Sequence, residues 1–155
     1  MILYVAILLT GLSAGLFLAW SVSVIPGTQR VSDSVYLESM QSINRAILNP
    51  VFFLIFLGPV FVLSATTFQH YPTKSSFWLL LGATLLYVLG TFGVTALGNV
   101  PLNNKLELLE LADQNVTEAK VFRQNYEQRW NQFHLLRTIA SVGSFCAALL
   151  AAFSK

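Results

Sequence analysis

Four stretches of the chain carry no Asp, Glu, Lys or Arg: residues 1–29, 46–73, 75–104 and 138–154. A helix needs about 20 predominantly apolar residues to cross a bilayer. Each of the first three runs supplies one, and the fourth does so if it begins near Phe133. The pattern predicts an all-α bundle of four transmembrane helices near 2–25, 50–69, 77–99 and 133–153, in one integral membrane domain covering residues 1–155. A membrane β-barrel is excluded, because its strands would alternate polar and apolar residues. In the first loop, Tyr36, Met40, Ile43 and Ile47 recur at helical spacing, with Glu38, Gln41 and Arg45 on another face. This amphipathic helix is suited to lie on the membrane or to cover the ends of the spans. Ser32 or Asp33 is placed to cap it, and Asn49-Pro50 to start the second span.

The third loop, residues 101–132, is long enough for two helices, with a stripe of Leu102, Leu106 and Leu109, a turn at 113–117, and an aromatic stripe of Phe122, Tyr126, Trp130 and Phe133. Gly58-Pro59 falls inside the second span, where the missing N–H predicts a kink. Gly11 and Gly15, and Gly143 and Ala147, give small faces for close helix approach, within one chain or in a homo-oligomer.

Composition agrees with this pattern. The 155 residues are 55% hydrophobic and 10% charged, against about 25% charged in soluble domains. The first span lacks a basic n-region and outlasts a typical signal-peptide core, so it is expected to be retained. Arg30 and Arg45 flank the first loop, and Lys105, Lys120, Arg123, Arg129 and Arg137 lie in or beside the third, while the other side has only Lys74 and Lys155. The positive-inside rule then puts the long loops in the cytoplasm and both termini outside. The expected location is the bacterial cytoplasmic membrane, with the lipid bilayer as the main partner. A net charge of +2 is too small and scattered for nucleic acid. Asn115-Val116-Thr117 matches a glycosylation sequon, which a cytoplasmic loop leaves without meaning. The single cysteine, Cys146, sits in a span, so no intrachain disulfide or Cys-based metal site forms.

Candidate chemistry gathers at one end of the spans. Asn99, Asn103 and Asn104 surround Pro101, which is expected to break the helix after Val100. Each amide needs partners, so the cluster reads either as a helix cap or as the wall of a polar pocket. Trp130, His134 and Arg137, at offsets of four and three, share one face at the start of the fourth span. Asn44 points to the apolar side of the loop helix, and Asn49 has a capping position. No HExxH, paired histidine or carboxylate cluster accompanies His134, so neither a metal nor another cofactor is expected. A haem on one axial histidine has no other support.

Four ordered motifs carry a resemblance: Gly15-Leu16-Phe17-Leu18-Ala19-Trp20-Ser21 followed by Pro26; Met40-Gln41-Ser42-Ile43-Asn44-Arg45 with Asn49-Pro50; Asn99-Val100-Pro101-Leu102-Asn103-Asn104; and Trp130, His134, Arg137 and Thr138. In these the chain resembles the anthrone oxygenase family, also described as the DUF1772 domain family of small four-helix membrane proteins. The resemblance implies oxidation of anthrone-type polyketides to anthraquinones with O2, without metal or flavin. It implies His134 as base, Arg137, Asn99, Asn103 and Asn104 as stabilisers of an oxyanion, and Trp130 stacked on a flat aromatic ligand. Asn44, Arg45 and Asn49 complete the expected substrate-binding set. The competing reading is a non-catalytic binding or accessory protein whose polar residues hold loop helices over the bundle. A closed, partly apolar cavity with His134 and the amides facing inward would favour the enzyme. A transporter is disfavoured by the lack of an intramembrane carboxylate.

Overall fold

The computed structural model describes residues 1–72, 75–111 and 115–154. Lys74, Lys155 and part of the turn expected at 113–117 lie outside the described residues. Within them the chain forms five helices: α1 (Ile2–Thr28), α2 (Asp33–Ala46), α3 (Pro50–Gln69), α4 (Phe77–Glu107) and α5 (Val116–Phe153). All but α2 are long and apolar enough to cross a membrane, and the chain is an integral membrane protein.

The second span has the expected bounds because Asn49 and Pro50 mark its start. Asn49 Oδ1 accepts from the Phe52 amide at 3.0 Å and its Nδ2 donates to the Ala46 carbonyl at 2.9 Å, so the cap is complete. Helix α3 then runs through Pro59 without interruption.

The third and fourth spans are longer than expected. Pro101 does not end its helix at Val100; α4 continues to Glu107. The reason is a π-helical segment, Thr95–Asn99, immediately before it. Such wide turns let a membrane helix pass a residue that cannot donate. Pro26 in α1 likewise follows a π segment, Trp20–Val24. The helices expected in the third loop are thus present as extensions of the flanking spans. Asn115 of the sequon starts the second extension in a capping box: the Glu118 amide donates to Asn115 Oδ1 at 3.0 Å and the Asn115 amide to Glu118 Oε2 at 3.2 Å.

Two apolar clusters hold the bundle. Within the spans, Ala6, Leu63, Ala83, Tyr87 and Ala148 pack together. Small residues bring α4 and α5 close: a Cβ on Gly90 would sit 2.5 Å from that of Ala140. Gly11 similarly faces Phe145, whereas Gly15 has open space around it. Polar groups are satisfied between helices. Ser13 meets the Tyr87 hydroxyl at 2.8 Å, Tyr87 donates to the Phe56 carbonyl at 3.0 Å, and Ser144 donates to the Ala83 carbonyl at 2.8 Å. Buried polar groups without partners would cost more in lipid than in water.

The second cluster lies at the end bearing α2. Tyr36, Leu37 and Met40 of α2 pack on Leu106, Ala119, Tyr126 and Trp130. Helix α2 therefore covers the ends of the spans. Gln41, expected on its polar face, turns inward and donates to the Leu106 and Leu109 carbonyls at 2.8 and 3.0 Å, satisfying the end of α4. Arg123 ties three elements: it reaches the Thr28 carbonyl at 3.2 Å, the Val31 carbonyl at 2.8 Å, Asp33 at 3.1 Å and Glu127 at 2.8 Å. Its guanidinium also lies 4.4 Å from the centre of the Tyr36 ring. Burial, with the Glu127 carboxylate nearby, raises the Tyr36 phenol above its ordinary range, which keeps that ring neutral beneath the cation.

Removing Arg123 leaves two carboxylates without their partner, so Arg123→Ala is expected to cost about 3 kcal/mol. Gly90→Ala should cost on the order of 1–3 kcal/mol by forcing α4 and α5 apart. Denaturant titration of the purified protein followed by circular dichroism checks both.

Candidate functional site

Arg137 is the innermost charge of the bundle, at 8% exposure in the second turn of the expected fourth span. Its hydrogen bonds go to one neighbour on the same helix face. Nε and Nη2 donate to His134 Nδ1 at 3.2 and 2.9 Å. The guanidinium carbon sits 4.7 Å from the Phe17 ring centre and 5.0 Å from that of Trp130, giving cation–π contacts in a desolvated setting. No carboxylate lies within ion-pair distance of it among the described residues. A buried guanidinium without a counter-ion is costly inside a membrane.

The hydrogen bonds settle the histidine tautomer. Arginine can only donate, so His134 Nδ1 accepts and the ring proton is on Nε2. Nε2–H then donates to Ser21 Oγ at 2.9 Å, and the Ser21 hydroxyl in turn donates to the Phe17 carbonyl at 3.1 Å. Trp130 stacks on the imidazole at 5.1 Å with 7° between planes. Thr138 donates to the His134 carbonyl at 2.7 Å. Ser21, on α1, is a partner that sequence reasoning missed. Its only signal was a hydroxyl beside Trp20 in the first motif.

The amides divide. Asn103 Oδ1 accepts from Trp130 Nε1 at 2.8 Å and from the Tyr126 hydroxyl at 3.1 Å, which fixes the indole over His134. Asn99, one turn earlier, is fully buried. Its Nδ2 donates to the Trp130 carbonyl at 3.2 Å, while Oδ1 has no partner among the described residues. Asn44 Nδ2 is also buried and lies near the Tyr126 hydroxyl without meeting hydrogen-bond geometry. Arg45 and Glu107 form an exposed ion pair at 2.8 Å. Asn49 is occupied by its capping duty, and the Asn104 side chain is exposed.

These residues meet at a cavity of about 510 Å³, within the 300–1,000 Å³ usual for small-molecule sites. All five helices contribute to it. Its walls are mainly aromatic, with Phe17, Trp20, Phe52, Phe56, Phe92 and Trp130, and its polar lining includes Arg137, Asn44, Asn103, Asn104, Arg45 and Glu107. His134, Asn49 and Asn99 do not line it. His134 stands behind the wall, in contact with Arg137, Trp130 and Phe17, which line it. Among the described residues no three His, Cys, Asp or Glu side chains converge as a metal site would require.

A family model described as anthrone oxygenase matches residues 48–147. That stretch includes α3, α4 and the His134–Arg137 face, while Phe17, Ser21 and Asn44 lie before it. A search among curated proteins and one among solved structures found no match.

The tautomer can be tested directly. Nitrogen NMR of protein labelled at histidine is expected to show His134 with Nε2 protonated and Nδ1 bare. In Arg137→Gln, which removes the charged donor pair, the two tautomers should mix.

Proposed function

The chain belongs to the anthrone oxygenase family, and on that premise we propose that it oxidises an anthrone-type aromatic with O2 in the cavity beside Arg137. The observation that carries this reading is the guanidinium itself: buried, held by a neutral imidazole, unmatched by a carboxylate among the described residues and lining a largely aromatic space. Such a group favours an anionic ligand that is otherwise flat and apolar. The enolate of an anthrone has that form.

The chemistry needs little else. Loss of a proton from the ring CH2 gives the enolate, whose oxygen is stabilised by Arg137 N–H groups. The enolate passes one electron to O2, and the resulting superoxide and carbon radical combine at that carbon. After protonation, the hydroperoxide carbon loses its remaining hydrogen as a proton while the O–O bond breaks, forming the second carbonyl and releasing hydroxide, which with that proton makes one water. One oxygen atom of O2 ends in the quinone and the other in water. Trp130 and the phenylalanines supply faces for the ring system. Asn103 acts through Trp130, and Asn44 offers a further donor.

His134 was expected as the base. Its lone pair is directed at Arg137 and its proton at Ser21, a geometry that favours a positioning role. The substrate proton then leaves toward the mouth, where Glu107 supplies a carboxylate in the cavity wall. Together with Lys and Arg placement, this reading puts the α2 end in the cytoplasm.

Arg137→Gln is expected to lower the rate of anthrone oxidation by about 10²–10³-fold, the usual effect of losing an oxyanion donor, with Arg137→Lys recovering part of it. His134→Gln should reduce the rate less and leave its pH dependence in place; a base role predicts that the dependence vanishes. The assay follows quinone absorbance in reconstituted vesicles with chelator present. Wild-type protein that binds an anthrone and leaves it unoxidised at the background rate would make the protein a non-catalytic binder.

A further inference from the structure

The cavity has two edges of opposite character. One faces the α2 end and is spanned by the Arg45–Glu107 ion pair at 2.8 Å, which joins α2 to the tip of α4. The other lies between α3 and α4. Helix α3 packs on the Phe77–Gly93 part of α4, whereas Thr95–Asn99 and the turn beyond it pack toward α5 and α2. The two spans therefore part company beyond Gly93, and the cavity occupies the wedge.

The rim of that wedge is apolar and open. Leu48, in the connection just before α3, is 65% exposed, and Phe53 on α3 and Val100 on α4 are each 42% exposed. Ala96, also exposed and lining the cavity, is the smallest of the rim residues and leaves the gap. Exposed apolar side chains on a span are its lipid-facing surface. We propose that the cavity is entered laterally from the bilayer between α3 and α4, through an opening bounded by Leu48, Phe53, Ala96 and Val100. This rests on the cavity being the ligand site described above, and it narrows the substrate class. The protein takes unconjugated, membrane-partitioned aromatics; glycosylated or sulfonated forms, which stay in water, do not reach Arg137.

An opening of this kind governs how fast a ligand passes and not how tightly it is held, so its obstruction slows entry and exit together. The test uses 1,8-dihydroxyanthraquinone, a probe that is already oxidised. Protein in lipid nanodiscs is loaded with it and mixed with excess probe-free vesicles, and native mass spectrometry follows the bound fraction. Ala96→Phe is expected to slow release about fivefold or more, within the range over which variants of one site shift rates, and to slow uptake as well. Leu48→Ala widens the same opening and should speed release, which keeps the test independent of how well Ala96→Phe folds. Release unaltered by either rim variant would overturn the proposal, and its acceleration by Arg45→Ala would then put passage at the aqueous mouth. Wild-type protein that holds no probe at all would instead remove the ligand site, and the function proposed for it, before any question of route.

Discussion

A guanidinium placed among membrane-crossing helices has to be surrounded on every side, and the environment of Arg137 determines much of what stands near it. Its charge is accepted by the imidazole of His134, and the rings of Phe17 and Trp130 lie within cation–π distance of it. The imidazole accepts at Nδ1 because its one N–H, at Nε2, is directed at the hydroxyl of Ser21 on α1, with that of Thr138 also near. Trp130 can stack on it because Asn103 of α4 holds the indole N–H. One buried charge thus links α1, α4 and α5 through neutral contacts, none of which cancels it. On the function proposed above, this arrangement holds the site ready for a negative ligand, in the same sense that preorganised donors stabilise a developing oxyanion.

The cap over that site is organised by different means. Arg123 does have carboxylates, and it joins the end of α1 and the start of α2 to α5. Gln41 closes the carbonyl end of α4, and Arg45 pairs with Glu107 beside it. The chain therefore uses one arginine with counter-ions to hold structure and another, without them among the described residues, to face the cavity. Two arginines 14 positions apart on one helix differ in role because of what α1 and α2 present to them.

Much of the bundle could be read from charge placement, since lipid tolerates few exceptions and Asn49-Pro50 marks one span's start without ambiguity. The extensions of α4 and α5 could not. Pro101 is an ordinary helix stop, and only a π segment, which has no composition signature, lets the helix continue. The one-sided gathering of Asn103, Trp130 and Arg137 was visible at helical spacing. What lies across from them was not: Ser21 is 113 residues from His134, and a single hydroxyl gives no periodic signal. The difference between His134 and Arg137 was also hidden, because residues three apart share a face while only one of them reaches the cavity.

The continuity of α5 has a further consequence. Its 38 residues, at about 1.5 Å each, make a rod of roughly 57 Å, nearly twice the ~30 Å hydrocarbon thickness. The same rod carries the lipid-embedded face and the cap, with no break at which one could shift against the other. A thicker or thinner bilayer is met by tilt of such a rod or by local deformation of the lipid, and either changes how the whole assembly sits relative to water. The depth of Arg137, and with it the local dielectric, follows the membrane's dimensions, making lipid chain length a variable of the site's chemistry.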